Sequence, residues 1–213
     1  MKDFSFDVLH RGETLLYLCS YGTFDPLNYL DFLSDEEKAR LLSFKHINRR
    51  REFTVTRILR HSIFGFKEIC YDELGAPFVE GSGFISISHC KELVGIALNN
   101  EYKVGLDLET PRMNIHSLQH KFLSKEELET FDISDQLEVT KIWSAKEALY
   151  KLAGRKKIIF KEELLLSKQD NGNWQGQIVN NDHHLFVNLD IFEFKRNIVS
   201  INKGPIVKQS RNI

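Results

Sequence analysis

Two groups of short segments alternate between apolar and polar residues, which is typical of strands with one buried face. The predicted strands are 84–89, 94–98 and 104–109 in the middle of the chain, and 174–179, 184–194 and 197–202 near its end. Two other segments, 51–65 and 141–154, favour helices and each ends at a glycine. The pattern therefore predicts an α+β fold.

The sequence also contains a weak internal repeat, because Phe-Leu-Ser-Asp-Glu-Glu at 32–37 returns as Phe-Leu-Ser-Lys-Glu-Glu at 122–127. In each copy the serine can cap a helix, and the glutamate three positions later completes a capping box. Such a helix start is common, so coincidence is one explanation. The other is two similar α+β halves that form a pseudo-dimer, an N-terminal half at 1–103 and a C-terminal half at 104–213. A cleft between such halves is a usual place for a ligand.

One predicted strand carries two carboxylates. Residues two apart in a strand point the same way, so Leu106 and Leu108 enter the core while Asp107 and Glu109 project together from the other side. On this pattern alone, a solvated acidic face is the simpler explanation. Neighbouring carboxylates repel each other, however, and magnesium, which prefers carboxylate oxygen, would remove that repulsion. Gly105 adds weight, since glycine inside a strand often permits close approach of another group.

The predicted helix at 141–154 carries a third carboxylate and a lysine one turn apart, Glu147 and Lys151. A surface ion pair is the ordinary explanation and is worth only about 0.2–0.5 kcal/mol. The functional alternative is that Glu147 joins the acidic pair while Lys151 meets a phosphate or a developing negative charge. An apolar stripe at helical spacing would hold the helix on the core, and it consists of Ile142, Ala145, Leu149 and Leu152.

The predicted strand at 84–89 ends in Ser88 and His89. A lone histidine is usually structural or solvated. A hydroxyl and an imidazole at a strand end can also hold a phosphate. No acidic residue is placed to complete a serine-hydrolase triad, so nucleophilic serine chemistry ranks low.

Basic side chains are concentrated in the first half of the chain, at Lys45, His46, Arg49, Arg50, Arg51, Arg57, Arg60 and His61. The ordinary meaning of such a run is a solvated helix face. The formal net charge of the whole chain is −1, so the positive charge is local and an anion site is the alternative. The same balance argues against a protein that wraps nucleic acid.

The composition excludes several other classes of protein. With 213 residues, 42% of them hydrophobic, the chain resembles an ordinary globular protein that can bury a core. Its three widely spaced cysteines predict neither a disulfide framework nor a structural zinc site. The first residues lack a signal-peptide core, and no stretch approaches the roughly 20 apolar residues that span a bilayer. We expect a soluble, cytoplasmic protein with no membrane partner.

In their order and spacing, these motifs resemble the 4′-phosphopantetheinyl transferase superfamily, and within it the large, pseudo-dimeric, surfactin-synthetase-activating class. That class carries a GxP turn, an ISHS-like strand, a G(V/I)D(I/L)E strand and a W(S/C/T)xKE(A/S)xxK helix. The corresponding segments of this chain are 75–77, 85–90, 105–109 and 143–154. They lie within a region of about 30–200 that resembles the family. The fold of the family, two similar α+β halves, agrees with the repeat.

Two segments depart from the family pattern. Ala76 stands where the GxP turn often has a lysine, so one phosphate contact would have to come from elsewhere. The stretch 155–160 lacks the usual glycine-rich continuation after the motif helix, which leaves the local loop and the docking of a carrier open.

The resemblance implies a role for individual residues. It assigns magnesium to Asp107, Glu109 and Glu147. The base that takes the serine proton would be Glu147 or a water beside it on the metal, and Lys151 would stabilise charge at the pyrophosphate. The remaining contacts to coenzyme A would come from Ser88 and His89 at the nucleotide phosphates and, at the 3′-phosphoadenosine end, from Arg49 and Arg50, with Arg40 behind them.

The implied reaction moves 4′-phosphopantetheine from coenzyme A, the co-substrate, to a serine of an apo acyl or peptidyl carrier protein. Three alternatives stay open: a catalytically silent homologue that binds coenzyme A or a nucleotide, a nucleic-acid binder that uses the basic helix, and another magnesium-dependent nucleotide enzyme. The sequence lacks the usual signatures of other nucleotide-binding enzymes, since neither GxxxxGK[ST] nor GxGxxG is present. The internal duplication makes a monomer the simpler expectation.

Overall fold

The structure is a computed structural model that describes residues 3–154, 157–170, 172–180 and 183–209. Its strands are β1 (Phe4–Arg11), β2 (Thr14–Tyr21), β3 (Cys70–Tyr71), β4 (Pro77–Phe78), β5 (Phe84–Cys90), β6 (Leu93–Asn99), β7 (Leu106–Glu109), β8 (Leu164–Lys168), β9 (Trp174–Asn180), β10 (His183–Phe194), β11 (Asn197–Asn202) and β12 (Val207–Gln209). Its helices are a 3-10 helix (Pro26–Phe32), α1 (Asp35–Ser43), α2 (Ile47–Phe64), α3 (Ile115–Phe122), α4 (Lys125–Thr130), α5 (Gln136–Leu152) and α6 (Phe160–Glu163). The predicted mixed α+β architecture is confirmed.

The first sheet is antiparallel, with the strand order β1-β2-β6-β5, and α2 covers one of its faces. Alternation along β6 explains this packing, because Val94 and Ile96 point toward Val55 and Ile58 of the helix. The helix starts at Ile47, earlier than the predicted residue 51. Its first turn is largely exposed and, apart from Ile47, polar, so the apolar pattern gave no sign of it.

The second sheet has the order β7-β11-β10-β9-β8, with β12 paired to β10. Helix α5 crosses it and buries the predicted apolar stripe completely or nearly so. Asp135 caps the start of this helix by accepting the backbone N–H of Leu137. The meander predicted for the end of the chain is also present, as β9, β10 and β11.

The two sheets pack face to face through a third core. Its buried residues come from β2, β6, β7, β11 and the segment before β7: Leu16, Leu18, Leu93, Ala97, Val104, Leu106, Leu108, Val199 and Ile201. Leu106 and Leu108 therefore enter the core as predicted. Because both sheets contribute to this core, the division into halves at 1–103 and 104–213 stays a prediction, as does the pseudo-dimeric relation between them.

The two copies of the repeat make similar contacts. Ser34 caps α1 and Ser124 caps α4, each with the reciprocal glutamate of a capping box, Glu37 or Glu127. Each glutamate is buried and also accepts hydrogen bonds from basic residues of the next long helix: Arg57 and Arg60 for the first, and Lys146 for the second. The predicted capping boxes are therefore both present, and each glutamate also pairs with a buried cation.

The basic residues at 45–61 therefore fall into two groups, one buried and one exposed. Arg57 and Arg60 are buried and hold Glu37 at 2.8 Å and 3.3 Å, so they are structural and unable to meet a solvent-borne anion. The exposed cations of the run lie nearer the start of α2.

Within the described residues, no helix is long and apolar enough to cross a membrane.

Candidate active site

Strands β5 and β7 meet where the two sheets join, and serine side chains make the connection. The hydroxyl of Ser86 accepts the backbone N–H of Leu106 at 2.9 Å, and the hydroxyl of Ser88 accepts that of Leu108 at 3.1 Å. On its other edge β7 pairs with β11 through an ordinary antiparallel ladder. The acidic strand is therefore held between a strand of each sheet.

Gly105 permits α5 to lie directly against the start of β7. A Cβ atom at this position would lie 2.3 Å from the carbonyl oxygen of Ala148 and 2.7 Å from Cγ of Leu152. The close approach predicted for this glycine is confirmed, and the approaching group is the helix that carries Glu147 and Lys151.

We expect Gly105→Ala to destabilise the protein by about 1–3 kcal/mol, because the added methyl group meets a backbone carbonyl that only a shift of α5 can move away. Urea unfolding measures the loss. Gly204→Ala is the matched control, since a Cβ atom there meets nothing within 4 Å and its backbone has no positive φ. Equal stability of the two variants would contradict the close approach.

Asp107 is buried at the joint, with 5% of its surface exposed. Its Oδ1 accepts the hydroxyl hydrogen of Ser88 at 3.1 Å and a hydrogen of the Lys151 ammonium group at 3.0 Å. Its Oδ2 is buried and has no hydrogen-bond partner within the described part of the chain. A buried carboxylate oxygen without a donor is unfavourable, which makes this atom a natural ligand for a cation.

Glu109 is half-buried, and its Oε1 accepts the indole N–H of Trp143 at 2.7 Å. Burial and the charge of Asp107 raise the pKa of Glu109, while the indole hydrogen bond opposes the shift. Trp143 is held in turn by Phe160, which stacks on it at 5.6 Å, and by Phe122 at 5.0 Å between ring centroids. The two carboxylates thus share one face of β7, and the charge of Asp107 destabilises that of Glu109.

Glu147 lies on α5 midway between two residues that contact these carboxylates. Trp143, one turn earlier, reaches Glu109, and Lys151, one turn later, reaches Asp107. Residues four apart share a helix face, so Glu147 lies on the face of α5 that runs along the acidic strand. Among the residues that the structure describes, no three histidine, cysteine or carboxylate side chains are grouped closely enough to hold an ion as they stand. The three-carboxylate set remains a prediction.

The available donors nevertheless fit magnesium. They are carboxylate oxygens, one of them buried with no partner among the described residues, beside a second carboxylate whose pKa is raised. A hard divalent cation would satisfy Oδ2 of Asp107 and would reduce the repulsion between Asp107 and Glu109.

Lys151 is mostly buried and uses its three ammonium hydrogens within the protein. It donates to the carbonyl oxygen of Leu106 at 2.6 Å, to Oδ1 of Asp107 at 3.0 Å and to the hydroxyl oxygen of Ser88 at 3.1 Å. The lysine therefore neutralises the buried Asp107. Its predicted contact with a pyrophosphate is untested.

His89 lies beside the first turns of α2. Its Nε2 is 2.7 Å from a guanidinium nitrogen of Arg49, and its Nδ1 is 3.4 Å from a carboxylate oxygen of Glu52. Because an arginine can only donate, Nε2 accepts and the imidazole is neutral, with its hydrogen on Nδ1 toward Glu52. Partial burial lowers the pKa of His89, as do the charges of Arg49 and Lys151, while Glu52 and Asp107 oppose the shift.

The lowered pKa of His89 predicts a pH-dependent stability. Below its ordinary pKa of about 6.5, the unfolded chain binds this proton more readily than the folded chain, so the free energy of unfolding falls as the pH drops. In His89→Gln, the amide oxygen can still accept from Arg49 but does not titrate. We expect the wild type to lose more stability than the variant between pH 7.5 and 5.5, measured by urea unfolding. Parallel losses would contradict the prediction.

The other two predicted arginines have different environments. Arg50 donates from Nε to the carbonyl oxygen of Phe44 at 2.8 Å, and from a terminal nitrogen to that of Leu42 at 3.2 Å, so it ties the turn between α1 and α2. Arg40 is exposed and lies over the rings of Phe53 and Tyr71, at 5.8 Å and 5.7 Å. Among the three arginines, Arg49 lies beside another predicted site residue, His89. Binding of coenzyme A by all three remains a prediction.

Two clefts flank the acidic strand. One, of about 570 Å³, has Glu109, His89 and Arg112 on its wall. The other, of about 860 Å³, runs from the turn that contains Ala76 to Lys103 and Lys151. Lys103 was missed in the sequence because it stands alone, outside any motif. The segment 155–160 departs from the family pattern, and its residues 155 and 156 lie outside the described residues.

Part of this site lies in a region of the chain that is similar to a known protein family. The 4′-phosphopantetheinyl transferase superfamily matches residues 103–197. The chain is 30% identical over 141 residues to the 4′-phosphopantetheinyl transferase HetI of Nostoc sp., a match that covers 57% of this chain and 60% of that protein. It is 31% identical over 114 residues to the 4′-phosphopantetheinyl transferase AcpT of Escherichia coli O157:H7, covering 50% and 58%. The chain thus spans about three fifths of the length of these curated relatives.

These similarities support the 4′-phosphopantetheinyl transferase superfamily. The matched region contains Asp107, Glu109, Glu147 and Lys151, whereas Ser88, His89 and the arginines of the first half precede it.

Proposed function

We propose that this protein is a magnesium-dependent 4′-phosphopantetheinyl transferase of the pseudo-dimeric class, a holo-[acyl-carrier-protein] synthase. It would transfer 4′-phosphopantetheine from coenzyme A to a serine of an acyl or peptidyl carrier protein. The observation that carries the proposal is Asp107, whose buried Oδ2 lacks a donor among the described residues and which lies beside Glu109 in the region similar to the superfamily. We expect the protein to act as a cytoplasmic monomer.

Magnesium would be held by Asp107, Glu109 and Glu147, and when bound it supplies positive charge to the pyrophosphate and the leaving group. Hydrogen bonds from other side chains orient two of these ligands, Glu109 and Asp107. Trp143 fixes Oε1 of Glu109, while Ser88 and Lys151 fix Oδ1 of Asp107, which leaves Oδ2 available.

The reaction is an in-line displacement at phosphorus. The serine oxygen of the carrier forms a bond to the phosphorus that bears pantetheine, and the bond from that phosphorus to the bridging oxygen breaks. Adenosine 3′,5′-bisphosphate leaves. Glu147 accepts the serine proton. The positive charge of Lys151, at the edge of the second cleft, stabilises the developing negative charge while its three hydrogens stay donated within the protein. Positioning and charge neutralisation supply most of the catalysis.

Coenzyme A would cross the site from one cleft to the other. Arg49 and His89 lie beside the first cleft and are suited to its phosphates, with Arg50 and Arg40 as further contacts from the basic region. In the second cleft, Lys103 would supply the positive charge that Ala76 does not provide.

Incubation with coenzyme A, magnesium and a panel of apo-carriers tests the proposal, with the intact mass of each carrier as the measurement. We expect at least one carrier to gain a phosphopantetheine group. A silent homologue would bind coenzyme A and leave every carrier unchanged. A nucleic-acid binder would show an affinity that falls steeply with salt and does not respond to Asp107→Ala.

A further inference from the structure

We propose that Ser88 is a positioning residue that aligns Asp107 and Lys151 for metal binding, rather than a ligand of the coenzyme A phosphates. The inference rests on the proposed function, because it assigns a part to Ser88 within the same site. It starts from the position of Ser88 at the joint between the two sheets, where 7% of its surface is exposed.

The hydroxyl group of Ser88 has its full set of partners within the protein. It donates its hydrogen to Oδ1 of Asp107 and accepts hydrogens from the backbone of Leu108 and from the ammonium group of Lys151, each at 3.1 Å. A serine hydroxyl has one hydrogen to donate and two lone pairs to accept. No hydrogen is left for a phosphate oxygen while these bonds are made.

Each bond of Ser88 has a consequence for the acidic site. The hydrogen bonds from Ser88 and Lys151 together hold Oδ1 of Asp107, so that Oδ2 is presented with no donor among the described residues. The bond from Leu108 fixes the strand position on which Asp107 and Glu109 depend. Groups that orient a metal ligand in this way typically change metal affinity about 10–100-fold when they are removed.

Ser86 provides a comparison within the same strand. It accepts the backbone N–H of Leu106 just as Ser88 accepts that of Leu108, and it is also buried. Among the residues that the structure describes, its hydroxyl group makes no hydrogen bond to a carboxylate or a lysine. Ser86 therefore shares with Ser88 the hydrogen bond that joins the sheets, but not the hydrogen bonds to Asp107 and Lys151.

The position of Ser88 also means that the N-terminal sheet contributes to the acidic site. Ser88 belongs to β5, outside the region 103–197 that is similar to the superfamily. The metal ligands lie on the C-terminal side of the joint, but one of their orienting groups comes from the other side.

The test compares Ser88→Ala, Ser88→Thr and the control Ser86→Ala in the full chain. Two affinities are measured: that of Mn²⁺, as a paramagnetic substitute for magnesium, by electron paramagnetic resonance, and that of coenzyme A by calorimetry in EDTA. We expect Ser88→Ala to weaken Mn²⁺ binding about 10–100-fold with coenzyme A affinity unchanged. Ser88→Thr, which keeps the hydroxyl, should recover most of the Mn²⁺ affinity, and Ser86→Ala should alter neither value.

Four results would overturn the inference. One is a loss of coenzyme A affinity in Ser88→Ala with normal Mn²⁺ binding, which would make Ser88 a phosphate ligand. Another is an equal loss of Mn²⁺ affinity in Ser86→Ala, which would assign the effect to the joint alone. Wild-type protein that modifies a carrier while Ser88→Ala binds Mn²⁺ normally would refute this inference but not the proposed function. Wild-type protein that neither modifies a carrier nor binds Mn²⁺ would refute both.

Discussion

Replacing Glu147 by glutamine is expected to lower carrier modification by about 10²–10⁴-fold while coenzyme A still binds. Glutamine keeps the size of the side chain but removes its negative charge and its ability to take a proton. Both proposed roles of Glu147, metal ligand and base, depend on that charge. The neighbouring contacts that identify this helix face, Trp143 with Glu109 and Lys151 with Asp107, involve other side chains and should survive.

Single-turnover transfer and calorimetric titration with coenzyme A measure the two parts of this prediction. Glu129→Gln is the control, because Glu129 is also a helical glutamate but is exposed and belongs to α4, away from β7. Near-normal turnover by Glu147→Gln would exclude it as the base. Loss of coenzyme A binding would instead indicate a role in holding the nucleotide.

The second large effect is expected from Lys146→Met, which should cost about 3–5 kcal/mol of folding free energy. Lys146 is fully buried, and its ammonium group donates to Glu127 and to the carbonyl oxygen of Phe122, each at 2.6 Å, and to that of Phe160 at 3.3 Å. Methionine fills the volume but leaves the buried charge of Glu127 without its counterion. Burial lowers the pKa of Lys146, and the charge of Glu127 opposes that shift.

Urea unfolding of three variants tests this account. The double variant Glu127→Gln with Lys146→Met should recover part of the loss, because no unpaired charge remains in the core. Lys161→Met, at an exposed position of α6, should change stability little. A Lys146→Met protein as stable as the wild type would mean that the buried pair contributes no net stability.

Local sequence patterns predicted the parts of the fold that depend on neighbours along the chain. The apolar stripe of α5, the two capping boxes and the alternation of β7 each involve residues within a few positions, and each is present. The prediction for α2 begins too late because the first turn is largely exposed and, apart from Ile47, polar, so no apolar spacing marks it.

The contacts that build the site could not be read from the sequence, because they join residues far apart in it. Lys151 reaches Ser88 across 63 positions, and Trp143 reaches Glu109 across 34. A glycine at 105 signalled a close approach without saying which element approaches. In the same way, nothing local distinguishes Arg57 and Arg60, which are buried against Glu37, from the exposed arginines of the same run.

The central claim, transfer of phosphopantetheine, is tested most directly by following both products of one reaction. Wild-type protein is incubated with coenzyme A, magnesium and an apo-carrier that is modified in the panel, beside an identical reaction with Asp107→Asn. We predict one adenosine 3′,5′-bisphosphate released for each carrier serine that gains phosphopantetheine, and almost no product with the variant. Coenzyme A binding without a gain of mass on any carrier, or equal product from the two proteins, would contradict the account.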